Sequence, residues 1–307
     1  MKAAFFMKNG GPEVMQYGDV PDPVAGPGQV LVDVHAASVN GADWKVRAGS
    51  YAPITTFPYI PGRDFSGVVS ALGAGVSDLR IGDPVFGVVE VTGEACYAEK
   101  VVIKSAIVAK KPDRLSHAEA AALALTGLTA LVSIEDTLKL KSGETILIQG
   151  GAGGVASFAI QAAKHIGARV ISTASAANLD YVRKLGADQV IDYNAQDFTK
   201  AVSGCDAVFD TVGGDVAMRS FAVLRPGGRA AFIGSGATAP VPPRNDVVSL
   251  RPKVGRDRPH LERIVALVAS GAVRVPEIKT YKLADAAAAH RVSEGRHFRG
   301  KLVFKVR

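Results

Sequence analysis

The segment that most restricts the fold is Gly150-Gly151-Ala-Gly153-Gly154-Val155-Ala156. It follows the apolar run Thr145-Ile-Leu-Ile-Gln149, which reads as a short buried strand. It precedes Val155, Phe158, Ala159, Ala162, Ala163 and Ile166, whose i, i+3, i+4 spacing marks one face of a helix. Gly167 then offers a residue for the helix C-terminus. Within this strand–turn–helix, Gly151, Gly153 and Ala156 make a G-x-G-x-x-A pattern, the context in which it points to dinucleotide binding. Gly151 suits the tight turn, Gly153 the close approach of a pyrophosphate, and Ala156 close helix–strand packing. Gly154 and Val155 open the helix, whose free N–H groups and positive dipole end favour an anion. The plain alternative is a glycine-rich turn without a ligand.

The rest of the chain agrees with an α/β protein. From Ser116 onward, strands and helices alternate. Ser116 and Glu119 form a capping box before an Ala/Leu run. Further strands are expected at Arg169–Thr173, Gln189–Asp192, Ala207–Asp210 and 229–233, with helices around Leu179–Leu185 and Leu261–Val268. Such alternation predicts parallel βαβ units in a doubly wound sheet. Before residue 116, short apolar runs at Val30–Ala36, Asp64–Ala71 and 83–91 are broken by glycine and proline, as in a small β-barrel or sandwich. After an Ala-rich helix near Ala284–Val292, Leu302, Phe304 and Val306 alternate with Lys301, Lys305 and Arg307. This last strand is expected to return to the β-rich region. The domains expected are thus 1–117, 118–272 and the return segment 273–307.

Composition narrows the function classes. Apolar residues at 48% and charged residues at 21% exclude a disordered or fibrous chain. Two cysteines, Cys96 and Cys205, exclude a disulfide scaffold and a four-Cys zinc lobe, and fit a reducing, cytoplasmic setting. The most apolar window, Ala118–Ile134, contains Glu119 and falls short of the roughly 20 residues of a membrane span, so no membrane role is expected. The net charge of +7 is scattered, and nucleic acid is not the expected partner. Its densest run, Arg251 to Arg258, reads as a solvated loop or, alternatively, an anion-binding one.

Cofactor choice turns on the end of the second strand of the alternating region. An NAD site places an acid there for the ribose 2′-hydroxyl. Ser172-Thr-Ala-Ser175-Ala-Ala-Asn178 holds no acid before Asp180. NADP is therefore favoured, with Ser175 available to a 2′-phosphate.

Several segments carry a family resemblance. Asn40-Gly-Ala-Asp43-Trp-Lys45-Val-Arg47-Ala-Gly49 is similar to the Asn-x-x-Asp-x-x-x-Arg-x-Gly signature of zinc-free quinone oxidoreductases. Pro61-Gly-Arg-Asp-Phe-Ser-Gly-Val-Val69, Ala124–Ala130, Asp210-Thr-Val-Gly-Gly214 and Gly295-Arg-x-x-x-Gly-Lys301 match as well. The chain resembles the zinc-free, zeta-crystallin-like branch of the medium-chain dehydrogenase/reductase superfamily. That resemblance implies a GroES-like β-rich catalytic domain and a Rossmann doubly wound parallel-sheet domain. It implies an NADPH-dependent hydride transfer to a small electrophilic acceptor, a quinone or the activated C=C of an α,β-unsaturated carbonyl. Zinc-binding members carry Cys, His and Cys where this chain has Asn40, Arg63 and Leu125. Those side chains offer no thiolate or imidazole, so no metal is expected.

The resemblance also implies site residues. On the substrate side, Lys45 replaces a Tyr of related enzymes; it either stabilises an enolate oxygen or is simply a paired surface lysine. Asn40 either orients a ligand or caps a turn. Tyr51 lines the pocket, as a wall or as a proton donor. Asp43 and Asp64 are expected as structural partners of Arg47 and Arg63 rather than, as the alternative reading has it, acids. On the cofactor side stand Thr129, Ser175, Asn178, Tyr193, Gly234, Ser235 and Lys301, beside Gly151, Gly153, Gly154 and Val155. Many relatives place Lys or Arg where Ala176, Ala177 and Asn178 stand, so a grip on the 2′-phosphate would fall to Arg183, Lys184 or Arg296. The Pro-rich stretch Ser235–Arg258 is short beside relatives that insert a dimer-forming hairpin, leaving a homodimer open. The competing function is a non-catalytic NADPH-binding protein, crystallin-like or RNA-binding, supported by the +7 charge alone.

Overall fold

The computed structural model describes residues 1–51, 53–54, 56–90 and 93–307. Val91, the end of one expected strand, lies outside the described residues. The chain forms two compact units. One comprises Met1–Leu125, Arg256–Val265 and Val275–Arg307; the other comprises Thr126–Gly255 and Ala266–Arg274. Residue 117 begins a helix whose first turns stay with the first unit, which also takes up residues 256–265 from the middle of the chain.

The first unit is β-rich. Its elements in chain order are β1 (Lys2–Phe5), β2 (Gln16–Asp19), β3 (Gln29–Val39), α1 (Gly41–Arg47), β4 (Asp64–Leu72), β5 (Pro84–Val88), β6 (Lys100–Lys104) and β7 (Val108–Lys110). A long helix, α2 (His117–Leu131), follows. Strand β3 is long because it serves three neighbours. Its first half pairs with β6, its last residues pair with the C-terminal strand, and β4 runs along it as well. Val30, Val32 and Val34 alternate inward and are buried with Phe65, Val85, Tyr97 and Phe304.

The second unit begins as α2 ends. It contains β8 (Thr145–Gln149), α3 (Gly154–Ile166), β9 (Arg169–Ala174), α4 (Leu179–Lys184), β10 (Gln189–Asp192), α5 (Phe198–Ala201), β11 (Cys205–Asp210), α6 (Asp215–Arg219), β12 (Leu224–Phe232) and β13 (Val248–Leu250). Its sheet has the order β10-β9-β8-β11-β12-β13, all parallel. The order reverses beside β8, so its carboxyl end is the switch point where doubly wound sheets take ligands. Strand β13 was not expected from the sequence. Its three residues lie in the Pro-rich stretch and are too few to show a period.

The chain then passes through α7 (Arg258–Ala269) to β14 (Ile278–Lys282), α8 (Ala286–Gly295) and β15 (Lys301–Lys305). Strand β15 pairs antiparallel with β3 and parallel with β14.

Two local readings can be checked. The capping box forms: Ser116 N–H donates to Glu119 Oε2 (2.8 Å) and Glu119 N–H to Ser116 Oγ (3.2 Å). The apolar helix is longer than the sequence window suggests. Helix α2 continues in wider turns to Thr137, giving 21 residues, long and apolar enough to cross a bilayer. However, 72% of its apolar window is buried within the protein, as in a core helix.

Arg47 was expected to pair with Asp43 or Asp64. Instead its fully buried side chain reaches α8 and the N-terminal loop. Nε donates to Gly10 O (3.1 Å), one terminal nitrogen meets His290 Nδ1 (3.3 Å), and the other donates to Glu294 Oε2 (2.9 Å). Burial, with Arg47 beside it, pushes the His290 imidazole down to about 3, so it stays neutral and can accept. Removing one member of such a buried group strands the others. Arg47→Met should lower stability by about 3 kcal/mol, read from urea unfolding midpoints.

Candidate functional site

In the second unit, the carboxyl ends of β8, β9 and β11 knit the glycine loop into place. Thr173 Oγ1 donates to Gln149 Oε1 (2.7 Å) and accepts from Gly150 N–H (3.1 Å). Thr211 Oγ1 donates to Gln149 O (2.8 Å). The expected division of labour among the glycines shifts by one residue. The left-handed turn falls on Gly150, at φ +76°. Gly151 is needed for space, because a Cβ there would lie 2.3 Å from Ser172 Oγ. A Cβ on Gly153 would meet Gly150 O at 3.5 Å, an ordinary contact, so no close packing demands a glycine there. Gly153 caps α3 without a side-chain oxygen, leaving the Gly154–Val155 end of the helix to an external anion.

The remaining second-unit residues sit as follows. Gly234 meets Gly213, where a Cβ would fall 2.6 Å from the Gly213 nitrogen, so its role here is close packing. Ser235 Oγ is buried and has no hydrogen-bond partner. Thr129 is buried, with its carbonyl accepting from Ser133 Oγ (2.7 Å). Tyr193 follows β10 and is exposed. Asn178 Nδ2 donates to Ser175 Oγ (3.0 Å), which ties these two together. Arg183 forms an ion pair with Asp180 (2.7 Å), while the Arg296 guanidinium, in the first unit, lies 5.7 Å from the Trp44 ring centre.

In the first unit, Asp43 pairs with Arg63 as expected, while Asp64 joins a different chain of buried polar groups. Asp64, at the start of β4, accepts from Ser38 Oγ (2.8 Å), Asn40 Nδ2 (2.9 Å) and Leu125 N–H (3.2 Å). Lys301 Nζ donates to Val39 O (2.9 Å) and Asn40 Oδ1 (2.8 Å). Burial pushes the Asp64 carboxyl up against the pull of Lys301, and pushes the Lys301 ammonium down. Both ends of the Asn40 amide are thereby engaged within the protein, and Lys301 belongs to the β-rich unit's interior.

Arg63 forms the neighbouring cluster. Its Nε lies 3.7 Å from Asp43 Oδ1 and a terminal nitrogen lies 2.5 Å from Glu94 Oε1. Tyr97 Oη donates to Asp43 Oδ2 (2.7 Å), Tyr59 Oη to Glu94 Oε2 (2.5 Å), and Asn40 N–H to Asp43 Oδ2 (2.9 Å). The Arg63 guanidinium carbon is 4.7 Å from the Tyr51 ring centre. Sequence reasoning missed Glu94, Tyr59 and Tyr97, which carry no local signal. Lys45 is half-buried, its ammonium 5.8 Å from the Trp44 ring centre.

The positions of zinc ligands in related dehydrogenases thus hold Asn40 and Leu125, both bonded to Asp64, and Arg63, ion-paired. Among the described residues, no three His, Cys, Asp or Glu side chains gather as a metal site. The basic run is also not a solvated loop. Arg251 donates to Phe232 O, Arg256 to Val89 O, and Arg258 to Val108 O and Asp78.

Comparison with known proteins places this arrangement. A family profile described as alcohol dehydrogenase GroES-like domain matches residues 26–113, and one described as zinc-binding dehydrogenase matches residues 185–304. The 2-methylene-furan-3-one reductase of Solanum lycopersicum is 36% identical over 85% of this chain and 69% of its own length. The chain belongs to the quinone oxidoreductase branch of the medium-chain dehydrogenase/reductase superfamily. The quinone oxidoreductase of Coxiella burnetii superposes with a TM-score of 0.90 at 36% identity, covering 100% of this chain and 99% of that one. The Escherichia coli quinone oxidoreductase complexed with NADPH superposes at 0.92 with 29% identity, covering 100% of both. The zinc-binding description belongs to the profile; the three ligand positions of this family member carry none of the usual ligands.

Asp43 supplies a pH test. Burial pushes its carboxyl from 3.8 to about 7, opposed by Arg63 and aided by Glu94. The folded protein then holds a proton that the unfolded chain releases, so stability is fully present below about pH 4 and is lost as pH rises towards 7. Its slope approaches ~1.4 kcal/mol per pH unit. Asp43→Asn should remove that share of the slope in urea unfolding across this window.

Proposed function

We propose that this protein is an NADPH-dependent, zinc-independent oxidoreductase that delivers hydride to a quinone or to the activated C=C of an α,β-unsaturated carbonyl. The observation carrying this reading is the engagement of Asn40 and Arg63 in buried polar contacts, with Leu125 as the third position, in a chain that keeps its glycine loop. The zinc route to alcohol oxidation uses a Lewis acid to form the alkoxide. Hydride delivery to an electron-poor carbon does not.

The residues fit a dinucleotide. Gly153 leaves room for a phosphate, α3 offers an uncapped N-terminus, and Ser235 Oγ is buried without a partner. The proposed cofactor set is Thr129, Gly151, Gly153, Gly154, Val155, Ser175, Asn178, Tyr193, Gly234 and Ser235. No acid stands at the end of β9 to repel a 2′-phosphate. When bound, NADPH supplies the hydride; the protein's own part is to orient the acceptor, exclude water and provide a proton. Tyr51 and Lys45 are the proposed acceptor-side residues. Lys301 is reassigned from the cofactor to holding Asn40. In this reading, 1–117 and 273–307 form the catalytic domain and 118–272 the dinucleotide domain. The proposed location is the cytoplasm, supported by the two free, buried cysteines.

The non-catalytic RNA-binding alternative drew on the basic charge. Arg256 and Arg258, from the densest basic run, are committed to contacts inside the β-rich unit. The reductase reading is therefore preferred.

With purified protein, NADPH should be consumed when a quinone or simple enone is added, at rates a chelator leaves unchanged. Chelator-sensitive alcohol oxidation would overturn the proposal, and tight NADPH binding without any turnover would favour the binding-protein reading. Gly153→Val should weaken NADPH binding at least tenfold, about 1.4 kcal/mol, in a direct titration. Its melting temperature should stay near wild type, because a Cβ there makes only an ordinary contact and the backbone is not left-handed.

A further inference from the structure

In a doubly wound sheet the adenosine ribose of a dinucleotide lies at the carboxyl end of the second strand, here β9. The groups that end β9 all belong to the second unit. Asn178 N–H donates to Ser175 O (2.8 Å) and Asn178 Nδ2 to Ser175 Oγ (3.0 Å), so the two residues close a clasp. Because Ser175 Oγ accepts there, its own O–H is left to donate. The Asn178 amide has a second N–H to donate and an oxygen to accept. Tyr193 N–H donates to Ala174 O (3.2 Å), which sets this exposed residue beside the clasp. Its phenol is a further uncharged donor.

The charged groups around the clasp offset one another. Asp180 and Arg183 form an exposed ion pair on α4 (2.7 Å). Such a pair opens readily, yet Asp180 stays within the same turn when it does. Asp192 stands in register with Ala174 at the end of β10, and its Oδ1 accepts from Asn194 N–H (3.0 Å). Lys184 closes α4, about 9 Å along the helix from Asn178. The chain beyond it soon reaches the opposite end of β9, where Asp188 N–H donates to Val170 O (2.8 Å) and the Asp188 carboxylate pairs with Lys164 (2.9 Å). At the carboxyl end of β9, therefore, the acids Asp180 and Asp192 accompany one base, Arg183, and no net positive charge collects there.

We infer that the Ser175–Asn178 clasp, and not a cation, reads the ribose, and that this protein takes NADH nearly as well as NADPH. This rests on the dinucleotide site proposed above. A clasp of amide and hydroxyl suits both cofactors. Its N–H and O–H donate to a 2′-phosphate, and Asn178 Oδ1 accepts from a 2′-hydroxyl. An acid in that place serves only the hydroxyl, and an arginine only the phosphate. Specificity is a difference of affinities, so the pyrophosphate contacts of the glycine loop, common to both dinucleotides, drop out. What remains is the net gain of the phosphate over the hydroxyl, about one hydrogen bond. Against it stands the cost of taking a doubly charged group from water beside Asp180 and Asp192. A guanidinium fork adds charge-assisted bonds of about twice the strength. Here that fork closes on Asp180.

The test titrates the full-length protein with NADPH and with NADH by calorimetry, so no turnover is needed. Wild type should bind NADPH no more than about tenfold more tightly than NADH. Asn178→Asp keeps the size of the side chain and replaces a donor by a charge. It should invert the order, weakening NADPH about tenfold or more while NADH binds as well or better. Asp180→Asn releases Arg183 and should raise NADPH affinity about threefold with NADH unchanged. A wild-type preference well above tenfold, or a ratio that Asn178→Asp leaves unmoved, overturns the inference. An unaltered ratio in Asp180→Asn overturns the part given to the Asp180–Arg183 pair. A protein that binds neither dinucleotide sinks the dinucleotide site itself. One that binds both without reducing a quinone or enone sinks the reductase reading while the ratio is still scored.

Discussion

A single buried carboxylate holds the β-rich unit in register. Asp64 opens β4 and collects Ser38 from the end of β3, Asn40 from the start of α1 and the Leu125 N–H from α2. Through Asn40 it reaches Lys301, the first residue of β15. A lone charge at such a depth is costly enough that it would pick up a proton instead. Here each oxygen has donors and a cation stands within the same network, so the cost is offset by many short bonds. Five segments are consequently constrained by one side chain. Strand β15 is thereby tied to the end of β3 and the start of α1.

The second cluster builds on the first. Asn40 N–H bonds Asp43, and Asp43 faces Arg63, so the two networks share the turn between β3 and α1. Together they place two buried cations, Arg63 and Lys301, among three buried carboxylates, Asp43, Asp64 and Glu94. Side chains in such a network cannot move singly, since any displaced charge loses its partners in a poorly screened interior. That rigidity suits a site whose work is orientation. Dehydrogenases with a catalytic zinc fix geometry through coordination bonds; this chain fixes it through ion pairs and hydrogen bonds at the corresponding positions. The fully buried Arg47 makes a similar link between α1, which carries Asp43 and Lys45, and α8.

Legibility in the sequence followed the range of the interactions. Strand β8, the glycine loop and α3 were readable because their signals lie within about twenty consecutive residues: an apolar run, a glycine spacing and a helical period. The capping box at Ser116 was readable for the same reason. The ion pair of Asp43 with Arg63 was readable too, but the partners of Arg47 and Asp64 were not. Nearness in the motif suggested that these residues pair with one another, whereas Arg47 bonds residues 243 and 247 positions away. Gly151 shows the same limit at short range. The spacing located the loop, yet whether a glycine serves a turn or a close contact depends on what packs against it, here Ser172 from the next strand.

By itself, the sequence determined the alternation of strands and helices, the place of the dinucleotide loop and the lack of thiolate or imidazole at the zinc-ligand positions. Each follows from residue type and local spacing, properties that survive without knowing the fold. Only the tertiary structure decided that Asn40 and Lys301 lock each other 261 residues apart, that the basic run folds inward, and that Tyr51 leans on a braced guanidinium. Those outcomes depend on burial. A charge removed from water must find a partner wherever packing brings one, and packing brings together residues that no spacing rule connects.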